Sequence, residues 1–232
     1  SALLATLIAT LVAVFVVPLK VSSVVVASLI ILLPGMSLTT AVRELSSQHL
    51  ISGTARMAGA MATLLKLAFG AVAAVQLCAL VGWVPPDVVA PKLMRWTEWV
   101  VVPLAALSFA VTFRSPLRYF PTVIGAVILG YLCTRIGGAF VSAPFGVFIG
   151  GLVLGALSNA FARLLHRPGA LIREPGIILL VPGSVAFHSL SLVFERNVLL
   201  GLDTAVTVLT LLVALVAGLL FGDLLVPPRR KL

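Results

Sequence analysis

A chain of 232 residues that is 61% hydrophobic and only 10% charged, with mean hydropathy +1.21, carries more apolar surface than a soluble fold can hide behind polar groups. Those figures exclude a soluble enzyme, a disordered tail and a collagen-like chain, and they leave an integral membrane protein. The net charge of +9 does not point to nucleic acid as a partner, because the Lys and Arg residues sit singly between apolar runs rather than in aromatic-studded basic blocks.

A helix of about 20 apolar residues crosses a bilayer. Long continuous apolar runs read as helices, since a barrel strand would alternate with a period of two. Eight spans are predicted, at 2–18, 21–42, 53–82, 99–113, 119–136, 144–165, 175–194 and 203–226. The first opens straight from Ser1, with no charged leader and cleavage site, so it is not a signal peptide. The connection after the third span carries Trp83, Trp96 and Trp99, which suit an interfacial aromatic belt, and Pro85, Pro86 and Pro91 stiffen it. Cys78 and Cys133 lie inside apolar runs and give neither a disulfide framework nor a metal site. Ten cations follow even-numbered spans: Arg43, Arg56, Arg114, Arg118, Arg163, Arg167, Arg173, Arg229, Arg230 and Lys231. Five follow odd-numbered spans, namely Lys20, Lys92, Arg95, Arg135 and Arg196, so the bias places the C-terminus in the cytoplasm.

An internal repeat organises the chain. Leu29–Gly35 recurs as Ile177–Gly183, and at an offset of 148 Pro34 meets Pro182, Gly35 meets Gly183, Gly53 meets Gly201 and Gly70 meets Gly218. The first three spans then pair with the last three. Spans four and five pair with positions before Ser1, which predicts a piece of a longer protein. The expected fold is therefore all-α and polytopic, about eight transmembrane helices of a ten-helix protein built from two inverted five-helix repeats, with a substrate site near the repeat interface.

Candidate binding residues follow from this plan. Pro34–Gly35 and Pro182–Gly183 read either as breaks whose bared backbone faces a cavity or as plain helix ends at the membrane surface. Behind them come hydroxyl-rich stretches with Ser37 and Thr40, and with Ser184 and His188. Their hydroxyls can bond a polar ligand or their own helix backbone, and His188 can titrate near neutrality. Arg43 and Glu44 match the two charges of an amino acid, or pair with each other at a span end. Lys66, between Leu65 and Leu67, is a cation inside a span, facing a cavity or snorkelling to the interface. Ser158 and Asn159 are polar groups in a span whose Gly146, Gly150, Gly151 and Gly155 suit close helix packing. Asp203 and Asp223 flank the last span. No catalytic set, phosphate-binding loop or metal cluster is visible, so neither an enzyme nor a cofactor is expected.

Leu32–Leu45 (LLPGMSLTTAVREL) with Ser52–Arg56, and Leu180–Ser184 preceded by Gly155–Arg163 and Arg167–Pro168, resemble the threonine/serine exporter family. The resemblance runs over essentially the whole chain. It divides the chain into 1–92, the C-terminal part of a first exporter membrane module, and 93–232, a second membrane module of five helices. It implies a secondary transporter of the bacterial inner membrane that exports threonine and serine as a proton-driven antiporter, with about ten spans behind a soluble N-terminal region. Glu44 stands where an Asp is expected in the family, and His188 where a basic residue is expected. Implied partners are a small amino acid or a dicarboxylate, protons and the lipid bilayer, with a homo-oligomer left open. The alternatives are a dicarboxylate (succinate-like) exporter, for which Arg43, Arg56 and Lys66 would hold two carboxylates, and a scaffold or partner subunit of a transporter.

Overall fold

A computed structural model describes residues 1–86, 88 and 94–228, without the side chain of Arg95. Pro91, Lys92, Arg229, Arg230 and Lys231 lie outside the described residues. Among the described residues the chain forms α1 (Ala2–Phe15), α2 (Val21–Leu29), α3 (Gly35–Ser46), α4 (Leu50–Leu80), α5 (Arg95–Thr112), a 3-10 turn (Leu117–Tyr119), α6 (Phe120–Phe140), α7 (Ala143–Leu164), α8 (Ala170–Leu180), α9 (Gly183–Phe194) and α10 (Val198–Leu225).

Among the described residues the protein is all-α and polytopic, and the expected eight spans are corrected to five. The segments long and apolar enough to cross a membrane are Leu50–Leu80, Leu117–Phe140, Ala143–Leu164, Ala170–Phe194 and Val198–Leu225. Proline explains most of the difference. The span expected at 2–18 ends at Phe15, short of Pro18, and its 14 residues rise only about 21 Å against a hydrocarbon core of about 30 Å. The span expected at 21–42 is divided before Pro34 into α2, of 9 residues, and α3, of 12. The span expected at 99–113 is α5, an 18-residue helix with Pro103 inside it. The ten-helix plan of two inverted five-helix repeats falls with this count.

What recurs at the 148-residue offset is smaller, namely the order α1–α4 again in α7–α10. Helix α3 and helix α9 start and stop in register, at Gly35 and Ser46 and at Gly183 and Phe194. The prolines before them share backbone angles, φ −79° and ψ 38° at Pro34 against φ −77° and ψ 40° at Pro182. The turns that follow each place a non-glycine residue in the left-handed region, Gln48 at φ 64° and Arg196 at φ 67°. The next helices then open at Leu50 and Val198.

Two compact units divide the chain: Ser1–Lys92 with Pro182–Leu209, and Leu93–Val181 with Thr210–Leu232. In the first, α1 runs parallel to α4, since Ala2 lies beside Gly70 while the Phe15 and Trp83 rings meet edge to face at 5.7 Å. Helices α3 and α9 also pack on α4. In the second, α6 packs on α7 and α8 around Val123, Val127, Phe161 and Ile172. Leu154, Ile177, Leu180, Leu215 and Leu219 close a second core against α10. The outer surfaces stay apolar, with Leu80 84%, Phe140 83% and Leu199 86% exposed, as befits residues meeting lipid rather than water.

Helix α7 makes its contacts through small residues on two sides. Gly146 and Gly150 lie against α6, while Gly151 and Gly155 lie against α10. A Cβ at Gly155 would stand 3.0 Å from the Leu219 carbonyl oxygen and 3.2 Å from Gly222 Cα. Neither backbone atom can move aside alone. Gly155→Leu is therefore expected to destabilise the second unit by about 1–3 kcal/mol, measured by denaturant unfolding in micelles.

Candidate functional site

The two Pro-Gly motifs come together inside the first unit. Val181 is extended (φ −71°, ψ 130°), as the residue before a proline should be, and it ends α8. Pro182 has no N–H to offer the preceding turn, so helix restarts only at Gly183. Leu33, Pro34 and Gly35 make the same restart for α3. Gly35 and Gly183 are both buried, and a Cβ at Gly183 would lie 3.4 Å from Gly35 Cα and 3.6 Å from Leu33 Cβ. The two backbones approach closely here, with room for a Cβ but for little more.

Neither helix start has a side-chain cap. The first bonds back to the caps are Leu38 N–H to the Pro34 carbonyl and Ala186 N–H to the Pro182 carbonyl, both at 2.9 Å. The amides of Gly35, Met36 and Ser37, and of Gly183, Ser184 and Val185, precede them and have no carbonyl within their own helix to receive them. Each start also carries roughly half a positive charge from its helix dipole. The two ends lie close together, with both glycines buried.

The other sequence candidates distribute around this junction. Ser37 and Ser184 are half-buried in the first turns. Thr40 donates its hydroxyl to the Met36 carbonyl at 2.8 Å, as Thr39 does to Gly35 at 3.1 Å, so these hydroxyls serve their own helix. Arg43 and Glu44 sit in the last turn of α3, about 13 Å along the axis from Gly35. Glu44 Oε1 accepts from Arg56 of α4, at 3.0 Å from Nη2 and 3.2 Å from Nε. That hydrogen bond, opposed by partial burial and helped by Ser52 and the positive field of Arg56 and His49, holds the Glu44 carboxyl below the usual carboxylate range. A depressed native value means the pair stabilises the fold above the unfolded-state value and loses that contribution as pH falls through the native one. Glu44→Gln is thus expected to lower the melting temperature slightly at pH 7 and to match the parent once both carboxyl states are protonated, in melting curves run across acid pH. His188 is exposed on α9, and Lys66 is exposed midway along α4. Neither is brought to the Pro-Gly junction.

Asn159 belongs to a separate cluster in the second unit, most of which is missed by sequence reasoning. Arg173, at the start of α8, pairs with Asp223 near the end of α10. Its Nε also donates to Ser158 Oγ at 3.1 Å and its Nη2 to Asn159 Oδ1 at 3.3 Å. Asn159 Nδ2 donates to Asp223 Oδ1 and to the Val226 carbonyl, both at 2.7 Å. Arg173 is read from sequence as a loop cation because the apolar run opens after it, yet α8 already begins at Ala170. The available signal is Asp223 itself, an acid inside the apolar end of the last span, which needs a cation. A second pair, Arg135 of α6 with Glu98 of α5, is more open, each side chain being 44% exposed. No group of three or more His, Cys, Asp or Glu residues able to hold a metal is found among the described residues.

Two family models match the chain, one for a threonine/serine exporter over residues 1–78 and one described as Threonine/Serine exporter, ThrE, over residues 98–225. Among curated proteins the chain is similar to Pheromone-regulated membrane protein 10 of Eremothecium gossypii, 30% identical over 149 residues covering 61% of this chain and 20% of that protein. The same-named protein of Pichia sorbitophila is 28% identical over 152 residues, covering 62% of this chain and 15% of that protein. That of Debaryomyces hansenii is 26% identical over 153 residues, again 62% and 15%. The chain thus spans a fifth or less of the length of these curated relatives. No solved structure matches it.

Proposed function

Because the chain belongs to the threonine/serine exporter family, we propose that it forms the membrane-embedded body of a secondary transporter that exports threonine and serine in exchange for protons. The proposed setting is a bacterial inner membrane with the C-terminus in the cytoplasm, a reading supported by Arg229, Arg230 and Lys231, which follow the last span. The observation that carries the proposal is the apposition of two uncapped helix starts at Gly35 and Gly183. They offer a substrate carboxylate six main-chain N–H donors and two dipole ends in a place of low dielectric. Ser37 and Ser184, in the same turns, supply hydroxyls for the polar remainder of a small hydroxy-amino acid. Chemistry on the substrate is not required of any of these groups, in keeping with a transporter rather than an enzyme.

A dicarboxylate is the second reading, and the pairing itself favours it, since two positive helix ends suit two carboxylates. Full-length protein in proteoliposomes distinguishes the two. Labelled threonine is expected to leave the loaded compartment, to slow when the pH gradient is collapsed, and to be unaffected by excess succinate. Export of succinate with no movement of threonine or serine would replace the first reading by the second. No movement of any of the three would overturn both.

A further inference from the structure

We propose that Asp223 is the residue that takes up and releases the coupling proton, with Arg173 as the partner it lets go. The inference rests on the proton-exchange reading above. It comes from the cluster on α7, α8 and α10, not from the helix starts. Among the described ion-paired carboxylates Asp223, Glu44 and Glu98, Asp223 is the most enclosed, at 13% against 23% for Glu44 and 44% for Glu98. Its partner Arg173 is 16% exposed. Both groups are largely enclosed without being fully buried.

The hydrogen bonds suit two states. With Asp223 ionised, its Oδ1 receives Arg173 Nη2 and Asn159 Nδ2, and α8 is tied to α10. When a proton adds to the carboxylate, the charge that holds the guanidinium to α10 is gone. Arg173 is not left bare, because Ser158 Oγ and Asn159 Oδ1 of α7 still accept from it at 3.1 and 3.3 Å. Asn159 Nδ2 still donates to the neutral carboxyl and to the Val226 carbonyl. The proton therefore removes the α8–α10 charge pair and leaves the α8–α7 hydrogen bonds, already present, in place. Helix α8 leads through Val181 directly into the Pro182 break, so the segment released is the one that precedes the proposed substrate turn.

The charged surroundings fit this role. Arg163 of α7 donates through Nε to the Pro227 carbonyl at 2.9 Å, one turn beyond Asp223, and adds a second positive charge. Glu174, half-buried, stands beside Arg173 on α8, and His166 and Arg167 are exposed in the segment after α7. On α6, which packs on α7 and α8, Arg135 is held by Glu98 of α5. Between Thr210 and Pro228, α10 and its extension bring no charged residue other than Asp223.

The test uses full-length protein in proteoliposomes and two readouts. Infrared pH-difference spectra are expected to contain a protonated-carboxyl stretch that disappears in Asp223→Asn and persists in Glu98→Gln. Threonine movement driven by a pH gradient is expected to fall at least tenfold in Asp223→Asn, while threonine–threonine exchange at equal pH keeps its rate. If Asp223→Asn does not reach the membrane, the apolar pair Arg173→Met/Asp223→Leu is expected to give the same two results. An unchanged carboxyl band, or gradient-driven movement at the parent rate in either variant, would overturn the assignment. Should the parent protein move no threonine at all, the export reading fails, and the infrared spectra still decide whether Asp223 takes up a proton.

Discussion

Gly183→Val is expected to lower threonine export by about tenfold or more in proteoliposomes, while membrane insertion and helix content stay unchanged. The geometry grades the effect by side-chain size. A lone Cβ at position 183 would stand 3.4 Å from Gly35 Cα, an ordinary contact, so Gly183→Ala is expected to transport at a rate near the parent's. The two further methyl groups of valine reach past that contact and push the helix starts apart. An anion at a partly buried helix start gains up to about 2 kcal/mol, and about 1.4 kcal/mol is a factor of ten. Losing one of the two ends therefore accounts for the expected drop. Export by Gly183→Val at the parent rate would remove the paired starts from the transport path.

The second large effect concerns stability. Asp223→Ala is expected to destabilise the protein by on the order of 3 kcal/mol, because it leaves the enclosed Arg173 guanidinium without its countercharge. Arg173→Ala should cost a similar amount for the converse reason. The double variant Arg173→Met/Asp223→Leu, which fills both places with apolar groups, is expected to recover most of that loss. Unfolding in micelles measures all three. Single variants that each lose under about 0.5 kcal/mol would mean that solvent already satisfies both charges. A double variant as unstable as the sum of the singles would mean that the two residues act independently.

Much of the architecture is legible in the residues because proline and glycine act locally. Pro34–Gly35 and Pro182–Gly183 set a helix restart wherever they occur, and their spacing of 148 carries over to the caps, the turns and the next helix starts. Span number is less legible. Hydropathy registers 21–42 as one apolar run, yet it cannot register that helix stops at Leu29 and restarts only at Gly35, whereas α8 and α9 are parted by Val181 and Pro182 alone. The Pro-Gly junction is readable as two motifs, whereas their contact is tertiary and has no trace in spacing. The charged candidates are hard to place from sequence for a simpler reason. Arg43, Glu44 and Lys66 stand out as rare charges in an apolar chain, but rarity does not locate them. Glu44 pairs with Arg56 across α3 and α4, and Lys66 lies on an exposed face of α4. Arg173 and Asp223 are 50 residues apart, and only folding shows that they meet.

A recognition surface made of amide hydrogens has properties that side-chain sites lack. It does not itself ionise, so any pH dependence of substrate affinity at the Gly35–Gly183 junction has to come from groups elsewhere, Asp223 in the reading above. Every amino acid but proline supplies the same hydrogen, so truncating side chains there to alanine, residue by residue, would pass over it without a signal. Amide-to-ester exchange at Met36 or Ser184, which deletes one N–H and keeps the side chain, is the chemistry that reads such a surface.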